Sequence, residues 1–531
     1  MCGMIAIVPV PPLRPAPHVR LRRWFSAGVA ALIVGAGLPL AAQNNLPALG
    51  DTESEDFGIG AEKRLGEQIM REIRRDPDYL DDPVLLEYLE SLWAPLLAQA
   101  RANGNISTDI DQRFAWEPFL VRDRSVNAFA LPGGYVGVHL GLIALTASRD
   151  ELAAVLAHEL THVTQRHIAR SISNSQRQSL IGAAAMILGV LAAARSNSVD
   201  AANALIVGGQ AAVMQGQLNF SRDMEREADR IGFTLLSGAG FSQAGMALMF
   251  EKLDQSSRLN DGGAFPYLRS HPLTSERIGE ARNRLGSGPA LGRGGTVEHQ
   301  LAQARARVLM DSRVDSLRRW QAMDADRAGS TPGERLAAAY SSALASTLLR
   351  DWSRADAALQ AALALVGNDA RAGRAAALLV AQSLLARGDA PRAAAAVKPY
   401  VAAGGRPVML LAAQVAQAQA GGEASTVKQA ADQLQTWLAL HPHDAAAWAQ
   451  LGQAWASLGQ PLRAMRAEAE TRLALGDLNG AVDRLRAGQR SARSGRNVDF
   501  IEASVIDSRL RDIEGQRRRI ATDERHGAER P

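Results

Sequence analysis

Cysteine is almost absent from this chain, since Cys2 is the only one in 531 residues. A single cysteine cannot form an intramolecular disulfide, and the body of the chain has none to serve as a nucleophile or a zinc-ribbon ligand. A metal ion held by this protein must therefore be bound by histidine and carboxylate side chains.

Excess charge of one sign is also scarce, because 59 Lys and Arg against 55 Asp and Glu leave a net charge of +4. This excess is too small to concentrate a phosphate-binding patch, and no basic stretch interleaved with aromatic residues accompanies it. Nucleic acid is therefore not an expected partner.

The composition excludes two further classes of protein. Hydrophobic residues make up 47% of the chain, charged residues 21%, and the mean hydropathy is −0.10. Such a chain is too apolar for intrinsic disorder and too polar for a polytopic membrane protein, and its length suits roughly three domains.

The N-terminus has the pattern of an export signal. Three arginines between positions 20 and 23 precede an uncharged run over 24–40, which is followed by the small residues Ala41 and Ala42. We expect a signal peptide over 1–42, cleaved after Ala42, and therefore a periplasmic protein. The alternative is an uncleaved anchor, because the run approaches the roughly 20 residues that a spanning helix needs.

Periodicity in the first half predicts mixed α and β structure. Apolar spacing and breaker residues predict helices over 59–74 and 84–100, a strand over 116–121, and two short strands within 127–141. The two strands lie on either side of the Pro132-Gly133-Gly134 turn. A long helix is predicted to run from about Asp150 to Ala169.

That long helix carries the decisive motif, His158-Glu159-Leu160-Thr161-His162. Residues four apart lie on one helix face, so both imidazoles can bind one zinc ion while Glu159 acts as general base toward a water molecule. The flanking residues are apolar and predict burial, where two histidines and a glutamate are costly unless they are coordinated. The alternative is a pair of core histidines with no metal.

A third protein ligand is expected from a later helix, since catalytic zinc sites use three protein ligands and one open position. The segment 220–236 places Glu225 and Asp229 on one face, beside the small Ala228. We predict Glu225 as the metal ligand and Asp229 as the hydrogen-bond acceptor for a ligand imidazole. Glu227 is the alternative ligand, and a solvated helix face is the alternative without a site.

With HExxH and a downstream ExEAD at 225–229, the sequence resembles the gluzincin metalloproteases, the family that includes HtpX and the CAAX prenyl proteases. Its layout resembles the BepA type, periplasmic proteases with a C-terminal tetratricopeptide domain. Three further segments match the family pattern: 127–134, 141–143 and 270–277.

The resemblance implies one Zn²⁺ per chain on His158, His162 and Glu225, with Glu159 as general base. Mn²⁺, Co²⁺ and Fe²⁺ could occupy the same ligands. It also implies an edge strand that binds extended substrate through backbone hydrogen bonds, with residues Asn127, Gly133 and Gly134.

Two residues of the segment 270–277, His271 and Arg277, have more than one possible role. His271 is an additional zinc ligand that holds the enzyme latent, which we favour, or an oxyanion donor, or a structural cap. Arg277 serves the oxyanion or pairs with a carboxylate. His167, in the first motif, is expected to cap or pair locally rather than to bind metal.

Helical repeats are expected after Pro332, with turns near 350–351, 388–389, 421–422 and 459–460. The spacing of Trp448, Leu451, Gly452 and Trp455 is that of a tetratricopeptide helix. The alternative is an Ala-rich helical bundle without repeats.

The predicted fold is mainly α, with an α+β gluzincin domain that contains a small sheet, followed by an α-solenoid. The predicted domains are a signal peptide over 1–42, a flexible segment over 43–57, a zinc metallopeptidase domain over 58–290, a linker or helix over 291–331, a tetratricopeptide-like domain over 332–490, and a charged C-terminal helix or tail over 491–531.

Two functions are therefore expected. The first is an exported zinc endopeptidase for misfolded or stalled envelope proteins, whose partners are unfolded or outer-membrane proteins and the outer-membrane assembly machinery. The second is a chaperone or assembly scaffold with latent or minor protease activity. The apolar region 180–214 is either a lid over the cleft or a peripheral membrane contact.

Overall fold

One small sheet lies in the first half of the chain, and helices form most of the rest of the computed structural model. The structure describes residues 58–174, 221–259, 265–285, 295–324, 331–419, 424–494 and 499–528. The signal peptide, the flexible segment 43–57 and the region 180–214 lie outside these residues. The prediction of a mainly α fold with one small sheet is confirmed.

The first half, residues 58–285, places four strands among helices. Its elements are α1 (Ile59–Ile73), β1 (Tyr79–Leu80), α2 (Pro83–Ala102), α3 (Thr108–Arg113), β2 (Glu117–Val121), β3 (Ala128–Leu131), β4 (Tyr135–His139), α4 (Leu140–Leu145), α5 (Arg149–Thr164), α6 (His167–Asn174), α7 (Arg222–Gly238), α8 (Ala244–Leu259), α9 (Tyr267–Ser270) and α10 (Ser275–Arg284).

The sheet has the strand order β1-β2-β4-β3, so β3 is an end strand. β4 pairs in parallel with β2 and antiparallel with β3. Gly133 and Gly134 close the β3–β4 turn with φ of 77° and 91°, a conformation that favours glycine. The predicted pair of strands around this turn is confirmed.

Helix α5 is the centre of the first half. Its side chains are buried from Asp150 to Thr164, and it packs against α2, α7, α8 and β3. Ser148 caps its N-terminus by accepting a hydrogen bond from the backbone of Glu151. The prediction that this helix continues to Ala169 is wrong, because Arg166 takes a left-handed conformation with φ of 51° and α6 begins at His167.

The second half is a succession of helices. Two short ones lead into it, α11 (Val297–Leu309) and α12 (Val314–Gln321), followed by a 3₁₀ turn over Ala322–Asp324. We call the remaining helices the helical array: α13 (Pro332–Leu348), α14 (Trp352–Leu365), α15 (Ala370–Ala386), α16 (Ala390–Val401), α17 (Arg406–Ala418), α18 (Ala424–Leu440), α19 (Ala445–Ser457), α20 (Pro461–Ala474), α21 (Leu478–Ser494) and α22 (Phe500–Ala528).

Successive helices of the array contact each other along the chain, and the predicted turns near 350–351, 388–389 and 459–460 fall between helices. The predicted turn near 421–422 lies outside the described residues. The odd-numbered helices begin 33 to 39 residues apart. The charged C-terminal segment forms α22, which buries Ile506, Leu510 and Ile513. Tetratricopeptide identity for the array stays a prediction.

The start of α2 contacts α11 and two helices of the array, α15 and α17. Three carboxylates there, Asp81, Asp82 and Glu87, form ion pairs with Arg406, Arg305 and Arg374. All described residues belong to one compact unit. No helix within the described ranges is long and apolar enough to span a membrane.

Candidate metal centre

Two buried helices bring the predicted ligands together. The side chains of His158, Glu159 and His162 on α5 are at most 1% exposed, and Glu225 on α7 is 2% exposed. Polar groups this deeply buried are stable only when they are paired or coordinated.

Small residues allow α7 to approach α5 closely. Ala228 is fully buried, and a Cβ placed on Gly232 would lie 3.3 Å from backbone atoms of Ala157 and His158. The α7 helix begins at the Ser221 cap, which accepts from the backbone of Met224. Glu225 and Asp229, one turn apart, consequently point at the two imidazoles of α5.

Four groups could hold a metal ion: His158, His162, Glu225 and His271, whose ligand atoms all lie within 4.8 Å of one another. The Nε2 atoms of His158 and His162 are 3.0 Å apart. The Glu225 carboxylate lies 3.5 Å from each of these two nitrogens. Three imidazoles and one carboxylate at this spacing suit a tetrahedral zinc ion.

His271 completes this group from another element. It follows the short helix α9, and its Nδ1 lies 3.3 Å from His158 Nε2 and 2.9 Å from Glu225 Oε1. Its other nitrogen lies 3.5 Å from Glu159 Oε1. The imidazole is thus at the position where a fourth ligand or a water molecule would bind.

Outer groups hold the candidate ligands in place. His158 Nδ1 lies 3.0 Å from Asp229 Oδ1, the arrangement predicted for Asp229. Arg277 donates two hydrogen bonds to Asp229, at 2.7 and 2.8 Å, and its Nη1 lies 2.8 Å from Glu225. Of the two predicted roles for Arg277, the structure displays pairing with carboxylates.

His167 pairs with neighbouring side chains and lies outside the four-residue group, as expected from the sequence, but its contact with His162 was not predicted. Its Nδ1 is 2.8 Å from Nδ1 of His162, and its Nε2 is 3.1 Å from Glu227. Glu227, the alternative ligand, lies outside the four-residue group. The unbroken helix predicted over 150–169 could not indicate the contact with His162, because residues five apart on one helix do not face each other.

Burial and neighbouring charges determine the protonation of the site. Burial opposes charge on His158, but hydrogen bonds to Asp229 and Glu225 outweigh it and raise the pKa of His158 to about 9. Burial and the His158 cation hold the pKa of His162 well below its usual range. Although burial acts in the opposite direction, His271 and His158 hold the pKa of Glu225 well below 4.5.

Glu159 is the group that most needs a ligand at this site. Its side chain is fully buried, and both carboxylate oxygens lack a hydrogen-bond partner among the described residues. An isolated buried carboxylate is costly, whereas one that faces a cation and its bound water is not. The residues present therefore fit a divalent metal ion.

The residues predicted to bind substrate lie in two places: Asn127 directly precedes β3, and Gly133 and Gly134 form the β3–β4 turn. The unpaired side of β3 is at the end of the described sheet and near α5, with Asn127 directly before it. The Asn127 side chain is 5% exposed, and its Oδ1 has no hydrogen-bond partner in the part of the chain described. The carbonyls of Gly133 and Gly134 already accept from Ala115 and Glu117.

Part of this chain is similar in sequence to known proteins. Residues 97–285 match Peptidase family M48. A putative beta-barrel assembly-enhancing protease from Vibrio cholerae is 38% identical over 273 residues, 50% of this chain and 54% of the relative. The beta-barrel assembly-enhancing protease of Escherichia coli K12 is 33% identical over 261 residues, 48% of this chain and 50% of the relative.

A more distant similarity is to the mitochondrial metalloendopeptidase OMA1 of Schizosaccharomyces pombe, 29% identical over 266 residues, which cover 50% of this chain and 72% of the relative. The chain spans about half the length of the beta-barrel assembly-enhancing proteases that it matches. The predicted resemblance to the BepA type is confirmed for this half, and the matches leave the nature of the helical array as a prediction.

Proposed function

We propose that this protein is a zinc-dependent endopeptidase that acts in the assembly and quality control of outer-membrane proteins, since residues 97–285 match Peptidase family M48. The proposal includes export through the signal peptide over 1–42, and substrates that are misfolded or stalled envelope proteins. The names of the beta-barrel assembly-enhancing relatives support the process, and the N-terminal sequence pattern supports export.

The proposal depends above all on the group formed by His158, His162, Glu225 and His271, beside a buried Glu159 whose oxygens have no hydrogen-bond partner among the described residues. Zinc bound there would polarise a peptide carbonyl and lower the pKa of a water molecule. Glu159 accepts the proton of the attacking water and passes it to the leaving amine, as a general base and then a general acid. The free side of β3 and Asn127 would hold the substrate backbone in an extended conformation.

His271 restrains this activity in our proposal. Its Nδ1 lies 2.9 Å from Glu225 and 3.3 Å from His158, so it stands where water would have to bind. Cleavage therefore requires His271 to withdraw from the other ligands. The same closed arrangement favours a second candidate function, a chaperone or assembly scaffold whose proteolysis is latent or minor.

The test is metal content by mass spectrometry together with cleavage of casein by the purified protein. We expect one zinc per chain, lost in Glu225→Ala and kept in Glu159→Gln, with cleavage in Glu159→Gln reduced by about 10²- to 10⁴-fold. His271→Ala is expected to keep zinc and to cleave faster. His441→Ala, a histidine in the loop between α18 and α19, is the matched control and should behave as the wild type.

Three results would count against the proposal. Wild-type protein without stoichiometric metal would contradict the proposal of a metalloenzyme. Full cleavage by Glu159→Gln would contradict the role of Glu159 as general base. Slower cleavage by His271→Ala would show that His271 assists catalysis rather than restrains it. An assembly function that persists in Glu159→Gln would favour the scaffold.

A further inference from the structure

His162 has a hydrogen-bonded partner on the side away from the candidate metal position. Its Nδ1 lies 2.8 Å from Nδ1 of His167, with the two rings nearly perpendicular at 74° and both side chains fully buried. Two imidazole nitrogens at this distance share one hydrogen, since one must donate and the other accept.

The direction of this hydrogen bond follows from the ligand atom. His162 offers Nε2 to the metal group, so its ring hydrogen is on Nδ1 and is donated to His167. His167 then carries its own hydrogen on Nε2 and donates it to Glu227, 3.1 Å away. Glu227 also accepts from Arg170 at 3.3 Å. The chain of donors thus ends on a carboxylate.

The backbone is bent to make this contact. In an unbroken α-helix, residues five apart are separated by about 140° around the axis and cannot face each other. Arg166 breaks the helix with φ of 51°, a left-handed conformation that is uncommon for a residue with a side chain. Its Nε donates to Glu62 at 2.8 Å, and Glu62 is 2% exposed.

We propose that His167 and Glu227 are positioning residues that fix the tautomer and the orientation of the His162 imidazole for the metal. The outer partner of His158 is the carboxylate of Asp229, whereas the outer partner of His162 is His167. Outer partners of this kind change metal affinity without touching the metal. The inference depends on the metal site of the proposed function.

The test compares two replacements of similar size, His167→Leu and His167→Gln. Glutamine can accept from His162 and donate to Glu227, whereas leucine can do neither. Zinc affinity is measured by competition with a chromophoric chelator, and the visible absorption of the Co²⁺-loaded protein reports ligand geometry. We expect zinc affinity about 10- to 100-fold weaker in His167→Leu, with an altered Co²⁺ spectrum. Both properties should largely return in His167→Gln.

Two controls make the comparison specific. Arg230→Leu replaces an exposed residue of α7 and should leave both readouts unchanged. Thermal unfolding of the metal-free variants shows whether His167→Leu and His167→Gln are equally folded. The double variant His167→Leu/Glu227→Gln should bind zinc no more weakly than His167→Leu, because both changes interrupt one chain.

The inference is overturned if His167→Leu binds zinc as tightly as the wild type, or if leucine and glutamine weaken binding equally in equally stable proteins. Wild-type protein that binds no zinc would instead contradict the metal site itself. The two failures are therefore distinguishable in one set of titrations.

Discussion

At the scale of single residues, the protonation of His158 has the largest effect on metal binding. Burial opposes charge on its imidazole, but Asp229 and Glu225, 3.0 and 3.5 Å from the two ring nitrogens, together raise the pKa of His158 to about 9. A pKa raised in this direction favours the ring with a proton on each nitrogen at neutral pH. A metal ion that binds Nε2 must displace one of these protons.

Zinc affinity should accordingly depend on pH. We expect it to rise by about tenfold per pH unit through neutrality and to level off near pH 9, because one proton is released on binding. Asp229→Asn should bind zinc more weakly but with a shallower pH dependence, since the pKa of His158 then falls. Chelator competition at several pH values measures both. A wild-type affinity that is constant above pH 7 would contradict the prediction.

The same proton stabilises the metal-free protein in a defined pH range. The pKa of His158 is raised above its ordinary value of 6.5 to about 9 on folding. Its contribution to stability is therefore complete below about pH 6.5 and is lost as the pH rises through 9. Denaturant unfolding of metal-free protein is the matching measurement, and Asp229→Asn should reduce this loss.

Single residues of the site could be predicted where a motif and a helical spacing agreed. HExxH gave His158, Glu159 and His162, and the one-turn spacing on the later helix gave Glu225 and Asp229 as a facing pair. Local pairing of His167 was predicted, but its contact with His162 was not, because that contact depends on the left-handed Arg166. The partners of Arg277 could not be predicted for a similar reason. Arg277 lies on α10, which is separate from the two helices that carry the motifs.

The close crossing of α5 and α7 is the element-scale feature on which the site depends. Gly232 has room for no large side chain, since a Cβ there would already lie 3.3 Å from the backbone of Ala157. Because Glu225 and Asp229 are on the same helix, any separation of the two axes moves both carboxylates away from the imidazoles. The distance between helices thus controls the ligand geometry.

Gly232→Leu should therefore weaken zinc binding although Gly232 is not a ligand. Overpacking at such a contact costs about 1 to 3 kcal/mol and is relieved by movement of the helix. Zinc affinity and denaturant unfolding of the metal-free protein are the measurements. Thr234→Leu, an exposed position on the same helix, is the control. Unchanged affinity in Gly232→Leu would show that the helices tolerate a wider crossing.

Elements were predictable when local signals defined both of their ends. The β3–β4 pair was set by its Pro-Gly-Gly turn, and the array turns by Gly or Asp at helix boundaries. The α5 boundary was missed because the residues after Thr164 have ordinary helical character. The ion pair between Arg166 and Glu62 on α1 contributes to that break, and a contact over 104 residues leaves no local pattern.

At the scale of the whole molecule, the array is fastened to the first half by buried charge. Arg305 donates to both oxygens of Asp82 at 2.7 Å and also contacts Tyr340 and Gln382 of the array. Its side chain is 4% exposed, so removal of either partner would leave a charge buried and unpaired. The partners are 223 residues apart, which is why sequence periodicity could predict both halves but not their contact.

Arg305→Leu should lower the free energy of unfolding by about 3 to 5 kcal/mol, because the buried Asp82 carboxylate then keeps its helix cap to Leu85 but has no counter-ion. Asp82→Asn added to it should recover part of the loss, since asparagine keeps the helix cap without the charge. Urea unfolding followed by circular dichroism measures both. Arg371→Leu removes an exposed pair with Glu298 and should cost at most about 1 kcal/mol. Equal losses in the two single variants would contradict the assigned role of the buried pair.

The ion pairs between the two halves also constrain how their sequences can change in evolution. Arg406 binds Asp81 and Asp444 together, so a lineage that loses this arginine is left with two neighbouring carboxylates that repel each other. A compensating change can occur at Asp444, within the array, or at Asp81, which lies 325 residues from Arg406 in the other half of the chain. A helical array transferred by recombination would keep its two ion pairs with a new first half only where the start of α2 presents the carboxylates that stand here as Asp81 and Glu87.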